Sequence, residues 1–286
     1  MPQRTAYPQG TPNWAELRTT DPAGAASFYG PLFGWRFEPT QRPDRLLAVL
    51  GADVAAVIRV GSEAAGAVGS EPAWNVYLAV DDVDAVTRAV PDAGGTVLAG
   101  PTDTDPAVGS THADPAAGST GAGSDGSRQT DAGQAGRSAV VRDPGGAIVG
   151  LWQAGREAGA GVVGEPGAVA WHELLTGDLD AAVAFYQRIL GLTPEPVEPD
   201  PALGGMRWSM LKAGHEPVAG VVPVPGAPSR WNVYFATADI HDAVRRVAEL
   251  GGTVALAPTE TPIGPMAGAL DPQGARFSLW TPRVPT

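Results

Sequence analysis

The sequence predicts an α+β protein in which one domain occurs twice in tandem. Three observations carry this. Residues 14–35 (WAELRTTDPAGAASFYGPLFGW) align with residues 171–192 (WHELLTGDLDAAVAFYQRILGL) at an offset of 157. The same offset carries Trp74-Asn75-Val76-Tyr77 onto Trp231-Asn232-Val233-Tyr234, and Gly94-Gly95-Thr96-Val97 onto Gly251-Gly252-Thr253-Val254. At an offset of 128, Asp143-Pro144 and Leu151-Trp152 fall on Asp271-Pro272 and Leu279-Trp280. The copies are taken as residues 1–157 and 158–286, joined by a Gly-rich link at about 155–167.

The change of offset marks a 29-residue insertion in copy one, at about 102–136. Its Gly, Ser, Ala, Asp and Thr residues cannot bury enough apolar area to offset their ordering entropy. A mobile, tolerated surface insertion is expected, with a lid over a pocket as the sharper alternative.

Each copy reads as strand, Asp, short amphipathic helix and further strands, and then the same order again. Asp21 is a plausible N-cap with Pro22 at the first helical position, and Gly34 ends the helix. Ala25, Phe28, Tyr29, Leu32 and Phe33 share one apolar face. In copy two Asp178 starts the helix, and Ala182, Phe185, Tyr186, Ile189 and Leu190 form that face. Asp81 or Asp82 precedes VDAVTRAVPDAGG, and Asp239 precedes IHDAVRRVAELGG. The chain therefore holds four βαβββ-like units, two per copy.

Bulk properties exclude several classes of function. The chain has no cysteine, so disulfides, thiolate metal sites and a cysteine nucleophile are ruled out. A net charge of −12 and a pI near 4.7 argue against nucleic acid as a partner. No apolar run approaches the ~20 residues of a membrane helix, and Met1-Pro2-Gln3-Arg4-Thr5 lacks the apolar stretch of a secretory leader. A cytoplasmic protein that does not engage the membrane is expected. No Ser–His–Asp order, phosphate loop or dinucleotide fingerprint is found.

The motifs FYGPLFGW and FYQRILGL, WNVYLAVDD…DAGG, and the closing DPGGAIVGLW and DPQGARFSLW resemble those of the vicinal oxygen chelate superfamily. That superfamily includes glyoxalase I, extradiol dioxygenases and bleomycin-resistance proteins. The resemblance covers nearly the whole chain outside the insertion, and is strongest to two-domain actinobacterial members described as hydroxylase or glyoxalase-like. It implies tandem glyoxalase-like domains, each with two paired βαβββ units curled into an open cup and helices outside. Four units suffice for two cups, so a monomer or homodimer is expected.

Side chains alternate across a strand. This gives the cup of copy one Trp14, Glu16 and Arg18, then Asn75, Tyr77 and Ala79, then Ile148, Gly150 and Trp152. Copy two gains Trp171, Glu173 and Leu175, then Asn232, Tyr234 and Ala236, then Arg276, Ser278 and Trp280. Such walls suit an aromatic or polycyclic small molecule with a few polar groups. Glu16 and Glu173, beside tryptophans, are candidate general bases or hydrogen-bond partners for a ligand hydroxyl; a structural pairing such as Glu16 with Arg18 is the alternative. Tyr77 and Tyr234 either donate to a developing oxyanion or serve packing. Ligand-binding candidates are Trp14, Asn75, Trp152, Trp171, Asn232, Arg276, Ser278 and Trp280.

By motif alignment, the positions that carry metal ligands in metal-dependent members hold Trp14, Asn75 and Gly150 in copy one, and Trp171, Asn232 and Ser278 in copy two. None is a usual ligand for zinc or non-haem iron. The region of the fourth ligand, AVIRV at 56–60 and AGVVPV at 219–224, offers no carboxylate or imidazole. His112, His172, His215 and His241 lie outside this pattern. No metal and no other cofactor is therefore expected.

The functional expectation is a metal-independent binder of an aromatic or polycyclic molecule, acting in antibiotic sequestration or as a tailoring enzyme of secondary metabolism (cyclase, isomerase or hydroxylase-like). The alternative is a metal-dependent lyase, isomerase or dioxygenase. The cups are expected to differ, with Arg276 and Ser278 making the second the better site for an anionic or carbonyl group.

Overall fold

A computed structural model describes residues 4–40, 44–60, 71–104, 134–199 and 205–283. The first unit comprises β1 (Pro12–Thr19), α1 (Pro22–Phe33), β2 (Arg36–Pro39), β3 (Arg45–Leu50) and β4 (Asp53–Val60). The second comprises β5 (Ala73–Ala79), α2 (Val83–Ala89), a 3-10 turn (Pro91–Ala93), β6 (Thr96–Thr104), β7 (Gly136–Arg142) and β8 (Ile148–Ala154). Copy two repeats the order with β9 (Val169–Thr176), α3 (Leu179–Leu190), β10 (Thr193–Val197), β11 (Trp208–Ala213) and β12 (Glu216–Pro223). It closes with β13 (Arg230–Ala236), α4 (Ile240–Glu249), β14 (Thr253–Thr259), β15 (Met266–Leu270) and β16 (Arg276–Trp280). Among the described residues no helix is long and apolar enough to cross a membrane.

Each α-helix starts where the sequence places an aspartate. Asp21, Asp82, Asp178 and Asp239 accept backbone N–H bonds from Gly24, Ala85, Ala181, and both His241 and Asp242, at 2.8–3.0 Å. These bonds satisfy donors that the first helical turn leaves free. In the second unit Asp82, not Asp81, is the cap.

The sheets run β2-β3-β4-β1-β5-β8-β7-β6 and β10-β11-β12-β9-β13-β16-β15-β14. The units of one copy pair with each other through the antiparallel β1–β5 and β9–β13 contacts, so each copy completes its own open sheet. The expected insertion is narrower than 102–136, because Thr102, Asp103 and Thr104 pair with Ser138, Arg137 and Gly136. The rest of it, at 105–133, lies outside the described residues.

The strand alternation holds. Ala15, Leu17, Val76, Leu78, Val149 and Leu151 face the helices and join the main core, whereas Trp14, Tyr77 and Trp152 form a separate cluster on the cup side. The helices lie behind each sheet, and there they also meet the other copy: α1 packs on α4 and α2 on α3. One core therefore spans both copies.

The repeated motifs build a pseudo-twofold clasp at this interface. The Tyr29 hydroxyl donates to Asp271 of the closing motif at 3.0 Å and accepts from the Trp74 indole at 2.9 Å. Its counterpart Tyr186 donates to Asp143 at 3.3 Å and accepts from Trp231 at 2.9 Å. Burial raises both tyrosines well above their usual range and pushes Asp143 up. The second glycine of each Gly-Gly pair is a close-approach position. A Cβ on Gly95 would stand 2.6 Å from the Phe185 ring, and one on Gly252 would stand 2.9 Å from the Phe28 ring.

His172 on β9 is buried, and desolvation lowers its pKa to about 3. The unfolded chain takes up this proton near its ordinary value of about 6.5, while the folded chain refuses it. Folding stability is therefore complete above that value and falls with pH down to about 3, by up to ~1.4 kcal/mol per pH unit from this residue. Urea unfolding at pH 7 and pH 5 checks this. The His172→Asn variant is expected to lose most of the difference; an unchanged difference would contradict the assignment.

Candidate functional site

The cup of copy one contains a cavity of about 270 Å³. Its floor is the β1–β5–β8 centre of the sheet. The register sets Trp14 opposite Tyr77, Glu16 opposite both Asn75 and Val57, and Tyr77 beside Gly150. Because the sheet curls, Asp44 and Arg45 at the start of β3 and Arg59 on β4 share the cavity with Ala99–Thr104 of β6 and Ser138–Val140 of β7. Of the residues expected here, Trp14, Glu16, Tyr77 and Trp152 line the cavity, whereas Arg18, Asn75, Ala79, Ile148 and Gly150 do not.

Trp14 and Trp152 meet edge to face, with ring centroids 6.3 Å apart. Trp152 is fixed by its indole N–H, which donates to the Glu157 carbonyl at 2.8 Å. The Trp14 Nε1–H is buried without a partner, as is Nε of Arg45, a residue only 8% exposed. Unpaired buried donors cost about 1–3 kcal/mol each. Both atoms are closed off from solvent, so this cost is internal to the wall.

The centre of the site is a carboxylate–phenol pair. The Tyr77 hydroxyl donates to Glu16 Oε1 at 3.2 Å. Burial raises the Tyr77 pKa, the Glu16 charge adds to the rise, and Arg59 opposes it. The phenol therefore keeps its single proton and commits it to Glu16. Arg59 in turn is held above its usual range, chiefly by the Glu16 charge. Glu16 thus faces Tyr77 and Arg59.

Gly150 is required by this arrangement. A Cβ there would stand 2.1 Å from Cδ1 of Tyr77, so the ring lies directly over the glycine. Gly150→Ala is expected to cost ~1–3 kcal/mol through overpacking and to pull Tyr77 off Glu16. Urea midpoints and ligand titration check both effects; a variant with wild-type values of both would contradict the packing.

Copy two repeats the pair with different surroundings. Tyr234 donates to Glu173 Oε2 at 2.5 Å, and Asn232 donates to the Ser278 hydroxyl at 2.9 Å. Burial raises the Glu173 carboxyl above the usual carboxylate range, with the Tyr234 bond acting against the rise. Trp171 and Trp208 approach Glu173 around Gly220. Trp280 is half-buried and donates to the Ile263 carbonyl at 3.1 Å.

Arg276 is exposed, near Arg230. A buried cation beside a cavity is Arg45, in the first cup. The missed residues Arg45 and Arg59 left one signal in the sequence: Arg59 follows Val57 by two, on the face of the strand that pairs with Glu16.

The family model of the glyoxalase/bleomycin resistance protein/dioxygenase superfamily matches residues 168–279, and that of a glyoxalase-like domain matches 14–120. The chain is 39% identical over 294 residues to "Putative glyoxylase CFP32" of Mycobacterium tuberculosis, covering 99% of this chain and 98% of that protein. The chain belongs to the glyoxalase/bleomycin resistance protein/dioxygenase superfamily. This superfamily member is also 36% identical to the anthracycline biosynthesis protein DnrV of Streptomyces peucetius, covering 96% and 94% of the two chains. Among solved structures, the 2,3-dioxygenase LapB of Pseudomonas sp. KL28 shares the fold at a TM-score of 0.60 and 15% identity, covering 98% of this chain and 96% of that one. The Mn(II)-bound glyoxalase of Novosphingobium aromaticivorans does so at 0.58 and 15%, covering 95% and 82%.

A metal centre of the kind the superfamily can carry does not fit the first cup of this glyoxalase homologue. Its three aligned positions are an indole, an amide and a glycine, and the Tyr77 ring occupies the space a side chain at 150 would need. In the second cup, Asn232 and Ser278 are bonded to each other. Among the described residues no group of three or more His, Asp or Glu is placed to hold a metal ion.

Proposed function

We propose that this superfamily member binds a hydroxylated aromatic or polycyclic small molecule in its first cup and acts on it by proton transfer, with Glu16 as the base and without a resident metal. The observation that carries the reading is the convergence of Trp14, Trp152, Glu16 and Tyr77 on one cavity. The two indoles offer flat apolar walls. The carboxylate is held by a phenol whose own proton is spoken for, so Tyr77 is a positioning residue for Glu16.

A volume of about 270 Å³ lies at the low end of small-molecule sites, ~300–1,000 Å³. It encloses one or two fused rings and leaves a longer polycycle to extend through the mouth. The similarity to a protein of anthracycline biosynthesis supports a polycyclic aromatic ligand and a place among tailoring steps.

The test is a tryptophan-fluorescence titration of the chelator-treated chain with hydroxylated naphthoquinones and anthraquinones. Binding is expected to quench emission, and the quench to shrink in Trp152→Phe but persist in Trp280→Phe. The reverse pattern would move the site to the second cup.

A further inference from the structure

Resting on the first-cup reading, we propose that Arg45 and Arg59 form an oxyanion site, so that the first cup takes a ring carbonyl with an acidic hydrogen, and that the second cup has lost this chemistry.

A base that removes a proton leaves an electron pair on the substrate, and in an aromatic ketone or hydroxyquinone that pair ends on the carbonyl oxygen. The oxygen then needs a donor. Tyr77 has one proton and gives it to Glu16, so the phenol is excluded from that task. Arg45 is buried, at 8% exposure, lines the cavity and is close enough for its charge to act on Tyr77. Arg59 lines the same cavity, where it meets Glu16 and Tyr77 and stands 3.9 Å from Asp44. The third wall carboxylate, Asp103, is engaged by Arg137 at 2.7 Å. The guanidinium groups of Arg45 and Arg59, neighbours on β3 and β4 next to the Glu16 strand, are thus the donors this cavity offers. The step balances within these groups: the acidic hydrogen passes to the Glu16 carboxylate, and the enolate or phenolate oxygen is held by the arginines.

The repeat supplies a second, independent observation. Strand pairing matches Glu16 with Val57 and Glu173 with Gly220, which sets Arg59 level with Val222 and Arg45 level with Trp208. Copy two keeps the Glu–Tyr pair and replaces both cations with apolar side chains. A pair shared by both copies is compatible with a structural role; the arginines distinguish the first cup as the one equipped to carry charge.

The experiment compares 2-hydroxy-1,4-naphthoquinone, which is an anion at neutral pH, with its methyl ether, which cannot ionise, by fluorescence titration of the full chain. The anion is expected to bind at least about tenfold tighter, the scale of one charge-assisted contact. Arg59→Met, at a half-exposed position that tolerates substitution, is expected to bring the ratio to within about threefold. Arg245→Gln, on the exposed face of α4, removes the same net charge and is expected to leave the ratio intact. Glu16→Gln is expected to raise the ratio, because it removes the facing negative charge. Equal binding of both compounds, or a ratio that survives Arg59→Met, would overturn the oxyanion site while leaving the cup reading in place. Binding of neither compound would overturn the cup reading and the oxyanion site with it.

Discussion

Glu16→Gln is expected to lower turnover by about 10²–10⁴-fold, the usual contribution of a positioned general base. Ligand affinity should change by less than about threefold, since a well-placed amide replaces one polar contact with another. The substitution preserves shape. The amide oxygen still accepts from Tyr77, so the phenol stays over Gly150 and the indole walls are undisturbed. What is lost is the proton affinity and the negative charge of the carboxylate. Turnover at the wild-type level would remove Glu16 from the mechanism. Retained affinity in a wild-type protein that turns over none of the ring compounds would favour sequestration over catalysis. Glu173→Gln is the natural partner experiment. Without arginines level with Arg45 and Arg59, the second pair is expected to contribute far less to turnover than the first.

Phe235→Ala is expected to destabilise the whole chain by ~3–5 kcal/mol, the range for deleting a large buried aromatic side chain. Phe235 is fully buried on β13 of copy two, yet its ring packs on Phe33, Trp74 and Trp35 of copy one at centroid distances of 4.7, 5.0 and 5.6 Å. Deleting it opens a void in the core shared by both copies. A single unfolding transition shifted to lower urea, with unchanged slope, is the expected result. Two separated transitions in the wild-type protein would show that the copies fold independently and that the clasp contributes little.

The cup faces were legible because a strand alternates with period two. Trp14, Glu16, Tyr77 and Trp152 could be assigned from three short stretches, and they meet in one cavity. Helix starts were equally legible, since a capping aspartate acts within three residues of itself. Long-range partners were not. Tyr29 and Asp271 stand 242 residues apart in the chain, and each motif by itself predicts only a helix core or a turn. Arg45 and Arg59 escaped notice for a related reason. Arg59 lies on β4, which pairs with β1, and its spacing of two from Val57 carries meaning only once that pairing is known; Arg45 is its partner on β3. Asn75 shows the converse: its register is as expected, opposite Glu16, but the cavity wall excludes it. Arg276 falls on a strand of the second cup, and its exposure there could not be read from alternation.

The central claim is that the first cup works without a metal at the positions where metal-dependent superfamily members carry ligands. Elemental analysis of the chain purified without a polyhistidine tag, with ligand titration before and after chelation, tests it most directly. The account predicts metal well below one equivalent and the same affinity in both titrations. One tightly bound iron, zinc, manganese or nickel per chain, with binding lost on its removal, would contradict it and make Glu16, Glu173, His172 and His215 the residues to examine as ligands.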